Sequence, residues 1–177
     1  NYVLRNAALV RQLMRQTDAA EAITTAPTAA VAYSAGAELW LRALAQRPTY
    51  QVETLVVIDG TVLGRLPRLE HPHLKRIVLM HGEHSWIPHW ARLTPEKVRE
   101  AVGPTVEIVE HRLPISHWVF DRPDEWQQVV NVCINELRER NPEEDMAAPT
   151  PGRNWDLVKE LLILLGAESF IIDDLKR

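Results

Sequence analysis

Cysteine is nearly absent from this chain of 177 residues, in which Cys133 is the single thiol. One cysteine cannot form an intramolecular disulfide, so the fold does not depend on an oxidising compartment, and we expect a cytoplasmic protein. The chain also lacks any stretch of about 18 apolar residues, so the sequence predicts no transmembrane helix. Its net charge is only −4, without a long run of one sign. The sequence therefore predicts neither a nucleic-acid partner nor an anionic-membrane partner.

The overall composition is that of an ordinary globular protein, with 46% hydrophobic and 25% charged residues. The length suits one domain with a sizeable core, alone or with a tail. Four short segments have the apolar, often β-branched character of buried strands: 29–33, 53–58, 75–80 and 105–109. Helical patterns lie around them, at 3–16, at 35–46, from Thr94 onward and at 123–138. Strands alternating with helices predict an α/β fold with a mainly parallel sheet and flanking helices.

The C-terminal part of the chain differs in composition from the rest. Residues 141–153 combine clustered charges with three prolines, which is typical of a linker. We therefore divide the chain into a core at 1–140, a linker at 141–153, and an apolar helix with a tail at 154–177. The apolar face of that last helix must be buried against the core or against a partner.

Ser34 is the centre of the sharpest local motif, Ala-Tyr-Ser-Ala-Gly, which lies between a predicted strand and a predicted helix. Small residues at Ala32 and Gly36 allow the sharp strand–turn–helix of a G-x-S-x-G nucleophile elbow, with alanine in place of the first glycine. Such a turn holds the serine exposed at the helix N-terminus, where the amide of Ala35 is a candidate oxyanion donor. The alternative interpretation is a small-residue turn without chemistry.

Two further residues complete a possible catalytic triad. Asp59 follows the second predicted strand and His117 follows the fourth, and the ends of parallel strands meet at one edge of a sheet. The chain order Ser, Asp, His is that of the α/β-hydrolases, in which the histidine is the base and the acid orients it. An Asp-Gly turn and a packed loop histidine are the alternatives. Glu83, after the third strand, is an alternative acid.

Other candidate residues have less specific signals. Four aromatic residues lie near the proposed site and are possible lining residues of an acyl pocket, although core or rim packing explains the tryptophans equally well: Tyr33, Trp86, Trp90 and Trp118. Histidines are dense but lack a zinc-like spacing with cysteines or carboxylates, so neither a metal nor a cofactor is predicted: His71, His73, His81, His84 and His89. Cys133 occupies an apolar position of the last core helix, which predicts a packing role.

Several of these segments together resemble the C-terminal half of an α/β-hydrolase, over about residues 3–138. The segment AYSAG resembles the nucleophile elbow, LVVIDG the strand after the elbow helix, LMHGEHSWIP the loop that usually carries the acid, and ISHWVFDRPDEW the histidine loop. In most of the family the acid lies three residues after the glycine matching Gly82, where this chain has Ser85. The segment from Ala32 to Gly60 is similar to thioesterase domains of polyketide and peptide synthases, whose acid matches Asp59.

This resemblance implies a serine hydrolase for an acyl ester or thioester, free or carrier-protein-bound, with Ser34, Asp59 and His117 as its triad. It also implies an incomplete α/β-hydrolase core, because the family's first strands and oxyanion loop would precede Asn1. Another polypeptide segment or chain is therefore expected to complete the sheet beside residues 29–33. Thioesterases of this kind usually carry a helical lid between the strand that precedes the acid and the next strand. In this chain only residues 60–74 lie there, a segment too short for several helices. The alternative function is a catalytically inactive subunit that uses the hydrolase fold for assembly or docking.

Overall fold

The computed structural model describes residues 28–138 continuously, together with six helical positions before them: 8, 11, 12, 14, 15 and 18. Five of these positions fall within the helix predicted at 3–16, and position 18 lies just beyond it. Tyr50 joins this region to the core, since its hydroxyl lies 2.9 Å from both the Met14 carbonyl oxygen and Asp18 Oδ1. The predicted linker at 141–153 and the C-terminal helix at 154–177 lie outside the described residues.

The fold is built on a sheet of four parallel strands, which lie side by side in chain order. They are β1 (Thr28–Tyr33), β2 (Val52–Ile58), β3 (Arg76–His84) and β4 (Glu107–Ser116). Three α-helices follow or connect them: α1 (Gly36–Gln46), α2 (Pro95–Val102) and α3 (Pro123–Arg138). Short 3₁₀ helices occur at His89–Ala91 and Val119–Asp121. This arrangement confirms the predicted α/β fold with a parallel sheet and flanking helices.

Both faces of the sheet are covered, because alternate side chains of each central strand point to opposite sides. One face packs against α1 and α2 through side chains that include Leu41, Leu44, Leu55, Val57, Leu79 and Val98. The other face packs against α3 through Val56, Ile58, Met80, Trp126 and Val129. Cys133 is buried in this second cluster, and burial raises its pKa to about 12, which confirms a packing role for an unreactive thiol.

Local signals account for the start of α2 and for the form of the connection between β2 and β3. Thr94 caps α2 by accepting a hydrogen bond from the Lys97 amide at 3.5 Å, and Pro95 occupies the first turn. The connection from Asp59 to Lys75 contains no helix, in agreement with the expectation that it is too short for a lid of several helices. None of the helices that the structure describes is long and apolar enough to cross a membrane.

The fourth strand is longer than its predicted extent of 105–109, since β4 continues to Ser116. Charged residues and Pro114 make the second half of this strand look like a loop in the sequence. It forms because β4 pairs with β3 on one side, while its other side can accommodate a proline and alternating polar residues. The extension of β4 carries the chain to His117 at the same edge of the sheet as the ends of β1 and β2.

The opposite margin of the sheet is β1, whose predicted position at 29–33 agrees with the structure. Among the described residues, β1 pairs with β2 alone, so its outer side has no partner within residues 28–138. Its side chains from Ala29 to Ala32 carry no charge. An uncharged strand with an unpaired side is a template for further pairing.

Candidate active site

Ser34 and Asp59 follow directly after β1 and β2, and both adopt the left-handed backbone conformation, with φ of 51° and 44°. Non-glycine residues enter this region at a cost of about 1–3 kcal/mol and are concentrated at functional sites. Backbone hydrogen bonds hold both turns in place. The Ser34 amide donates to the Ile58 carbonyl oxygen at 3.0 Å, and the Asp59 amide donates to the Met80 carbonyl oxygen at 2.7 Å. The two side chains are therefore fixed by the neighbouring strands.

His117, the first residue after β4, joins these two side chains into one hydrogen-bonded chain. Its Nε2 lies 3.1 Å from Ser34 Oγ, and its Nδ1 lies 2.7 Å from Asp59 Oδ2. An ionised carboxylate can only accept, so Nδ1 carries the hydrogen and Nε2 is left to accept the serine proton. The structure thus brings together all three residues that the sequence predicted as a triad.

Asp59 is fully buried and its carboxylate is well supplied with donors. Oδ2 accepts from the Ser85 hydroxyl at 2.5 Å as well as from His117, and Oδ1 accepts from the Gly82 amide at 3.3 Å. Burial alone would raise the pKa of this carboxyl, but the hydrogen bonds from His117, Ser85 and Gly82 outweigh burial and hold the pKa below its ordinary value of 3.8. Asp59 is therefore ionised at neutral pH.

The lowered pKa of Asp59 predicts a pH dependence of stability. The unfolded chain binds the Asp59 proton at a higher pH than the folded protein does. The contribution of the carboxylate to the free energy of unfolding is therefore complete above about pH 5 and is lost as the pH falls through the folded-state pKa. We expect Asp59→Asn to lose this part of the acid sensitivity, measured by urea denaturation across about pH 6 to pH 3. An identical pH dependence in the variant would contradict this expectation.

The surroundings of Ser34 correct one expectation. The sequence predicted an exposed serine, whereas Ser34 is only 8% exposed and its Oγ lies 3.1 Å from His117 Nε2. Ala35, the candidate oxyanion donor, is exposed and precedes the first turn of α1. Its amide has no backbone acceptor within the described part of the chain. The positive end of the α1 dipole lies in the same turn.

Three aromatic side chains, Tyr33, Trp86 and Trp118, contact the imidazole, whereas Trp90 lines a different cleft with Lys97. The Tyr33 ring stacks on His117 with centroids 5.1 Å apart, and its hydroxyl donates to the His117 carbonyl oxygen. Trp86 and Trp118 meet the imidazole edge-on at 5.2 and 5.5 Å and remain 59% and 38% exposed. Burial, together with the charges of Asp59 and Asp121, raises the pKa of Tyr33 above its usual range, so its phenol stays protonated.

Glu83, the alternative acid, is not the partner of His117, because Nδ1 is bonded to Asp59. Glu83 is exposed and lines a separate cleft of about 560 Å³ with His81, Arg92 and Glu110. Glu83 was predicted to follow the third strand, but β3 continues to His84, so Glu83 lies within the strand and its side chain does not join the triad. Within residues 28–138 no group of three or more His, Cys, Asp or Glu side chains has an arrangement that could hold a metal ion.

Two residues that contact the site, Ser85 and Phe120, were not predicted from the sequence as site residues. Ser85 enters the interpretation of the sequence only as a residue that cannot act as the acid, yet it donates to Asp59. Phe120, 42% exposed, packs edge-on against Tyr33 at 4.7 Å. The position of Ser85, three residues after Gly82, is a signal that could have found it. The short 3₁₀ turn that carries Phe120 has no clear signal in the sequence.

Comparisons with known proteins find little that is similar to this chain. No model of a known protein family matches it, and no curated protein matches it. Among solved structures, it is similar to the crystal structure of a protein of unknown function from Agrobacterium tumefaciens strain C58, with 22% sequence identity and a TM-score of 0.38. The match covers 58% of this chain and 48% of that chain, so it spans about half of that protein. A similarity this low supports no conclusion about function.

Proposed function

We propose that this protein is a thioesterase-like serine hydrolase that cleaves an acyl ester or thioester. The observation that carries the proposal is the continuous chain of hydrogen bonds from Ser34 Oγ through the His117 imidazole to the buried Asp59 carboxylate. A serine hydroxyl is a weak nucleophile until a base accepts its proton, and the base works best when a third group orients it. All three requirements are met by side chains at one edge of the sheet.

The proposed reaction proceeds in two halves. His117 Nε2 accepts the Ser34 proton as Oγ attacks the acyl carbon, and Asp59 stabilises the imidazolium that forms. Collapse of the tetrahedral intermediate breaks the bond to the leaving alcohol or thiol, which takes the proton from His117. Water then attacks the acyl-enzyme, His117 accepts the water proton, and the carboxylic acid leaves while Ser34 regains its hydrogen. The cycle balances without a cofactor.

The developing oxyanion needs donors placed before the reaction begins. The Ala35 amide is suited to this role, because it immediately follows the nucleophile at the start of α1 and lacks a backbone acceptor among the described residues. The resemblance to α/β-hydrolases assigns a second donor to a loop outside the residues that the structure describes. Removal of one such donor in enzymes of this kind costs about 10²- to 10³-fold in rate.

The strand arrangement supports the α/β-hydrolase part of the proposal. The nucleophile candidate follows β1, the acid candidate follows β2 and the base candidate follows β4, so their chain order is the Ser, Asp, His order of that family. The exposed rings of Trp86 and Trp118 beside the imidazole support an apolar acyl group as the substrate portion nearest the reaction.

Labelling with a fluorophosphonate probe tests the proposal directly. The phosphorus of the probe is attacked by an activated serine, which expels fluoride and leaves a covalent adduct. We expect stoichiometric labelling of the folded protein, with the adduct mapped by mass spectrometry to the peptide that contains Ser34. Urea-denatured protein is the control and should remain unlabelled, because unfolding separates Ser34 from His117.

A second candidate function, an inactive subunit that serves in assembly, is favoured by one observation. The outer side of β1 has no pairing partner within residues 28–138, and its uncharged side chains do not oppose association. In this case another segment or chain completes the sheet, and light scattering should detect a complex or a self-associated species. Folded protein that associates in this way and stays unlabelled by the probe would favour this function over hydrolysis.

A further inference from the structure

We infer that Ser85 is a positioning residue of the proposed hydrolase, which fixes the Asp59 carboxylate by donating to the same oxygen that receives the His117 hydrogen. Asp59 Oδ2 lies 2.5 Å from Ser85 Oγ and 2.7 Å from His117 Nδ1. This inference rests on the proposed function, because a positioning role has meaning only if Asp59 orients a working base.

The direction of the Ser85 hydrogen bond follows from its other contact. Ser85 Oγ accepts a hydrogen bond from the Ile87 amide at 3.2 Å, so that N–H occupies one lone pair of the hydroxyl oxygen. The hydroxyl proton remains available, and the nearby carboxylate of Asp59 has no proton of its own to give. Ser85 therefore donates to Asp59, in a hydrogen bond to an ionised acceptor, which is stronger than a bond between neutral groups.

Two donors at the C-terminal end of β3 and just after it together determine the orientation of the carboxylate. The Gly82 amide binds Oδ1 at 3.3 Å, while Ser85 binds Oδ2. A carboxylate held through only one oxygen can rotate about its last side-chain bond, whereas one held through both keeps a single plane. That plane directs Oδ2 at His117 Nδ1. The Ser85 amide in turn donates to the Gly82 carbonyl oxygen at 3.3 Å, which keeps the two donors together.

Removing the Ser85 hydroxyl has two expected effects on catalysis. Loss of one hydrogen bond to a charged group should lower kcat/KM by about 10- to 100-fold, because Asp59 then samples planes that do not meet the imidazole. Without the Ser85 hydrogen bond, the Asp59 carboxylate also presents more negative charge to His117. That charge favours the protonated imidazole, which cannot accept the Ser34 proton. The acidic limb of the pH profile should therefore move to higher pH, a shift that general loosening of the fold would not produce.

The experiment compares Ser85→Ala, Ser85→Thr and Ser116→Ala with the unmodified protein on a p-nitrophenyl ester, with rates normalised to sites titrated by the fluorophosphonate probe. Ser85→Thr retains the hydroxyl and should stay within about threefold of the unmodified protein, the difference expected of a change below about 0.7 kcal/mol. Ser116→Ala is the matched control, since it removes a serine hydroxyl that donates to a different carboxylate, Glu125, at 2.8 Å. The Ser116 amide keeps its own bond to Glu125 at 2.7 Å.

The results separate the two proposals. If the unmodified protein neither labels nor hydrolyses the ester, the proposed function fails before Ser85 is considered. If the unmodified protein is active and Ser85→Ala matches it in both kcat/KM and pH profile, only the positioning role is overturned. The positioning role is also overturned if Ser85→Thr is as impaired as Ser85→Ala while circular dichroism shows both to be folded.

Discussion

Replacement of Ser34 by alanine is expected to reduce hydrolysis of a p-nitrophenyl ester by about 10⁴- to 10⁶-fold and to abolish fluorophosphonate labelling. The reason is that Ser34 Oγ is the only hydroxyl oxygen shown in hydrogen-bond contact with the His117 imidazole within residues 28–138. Fold stability should change little by comparison, because removing one buried hydroxyl hydrogen bond costs about 1 kcal/mol. The activity assay and thermal unfolding, run on the same preparation, measure the two effects separately.

The control for this variant is Ser116→Ala, which makes the same chemical change one residue before His117 and leaves Ser34 intact. It should label and hydrolyse nearly as well as the unmodified protein. A Ser34→Ala protein that keeps its esterase activity would remove the triad hypothesis, since the activity would then come from another nucleophile or from a contaminant.

Replacement of Asp59 by asparagine is expected to lower kcat by about 10⁴-fold while Glu83→Gln stays within about threefold of the unmodified protein. An amide at position 59 can present N–H to His117 Nδ1, and the imidazole then carries its hydrogen on Nε2, where it can no longer accept the Ser34 proton. Glu83 does not contact His117 Nδ1, because it is exposed and lines the cleft beside His81. Steady-state kinetics on the two variants checks this ranking.

The comparison is informative because both substitutions turn a carboxylate into its amide with almost no change in shape. Folding of each variant is verified by circular dichroism before the rates are compared. Should Glu83→Gln be the more damaging change, the orienting acid would lie at the end of β3 and the role proposed for Asp59 would be wrong.

The sequence predicted the sheet and the meeting of Ser34, Asp59 and His117 for one physical reason. Apolar, β-branched segments alternating with helices require parallel strands, and residues that follow parallel strands converge at one edge. These two inferences depend on periodicity and on position relative to strand ends, which a single sequence displays well. The preference for Asp59 over Glu83 instead came from the resemblance to thioesterase domains, whose acid matches Asp59.

Features that depend on contacts between distant segments were not predictable in this way. The second half of β4 is polar and contains Pro114, and it becomes a strand only because β3 offers a pairing partner. Ser34 was expected to be exposed, and its burial depends on the side chain of His117 far along the chain. The contact of Ser85 with Asp59 joins residues 26 positions apart, and its one signal in the sequence is the position of Ser85 three residues after Gly82.

The separation of Ser34 and His117 by 83 positions has a consequence for maturation of the protein. Contacts between segments this far apart form late in folding, because the entropy of closing a long loop opposes them. A nascent chain therefore carries Ser34 as an ordinary alcohol until β4 has been added and α3 has docked beneath the His117 turn. Proteolytic removal of α3 is likewise expected to abolish the nucleophilic reactivity of Ser34, although Ser34, Asp59 and His117 all remain in the polypeptide.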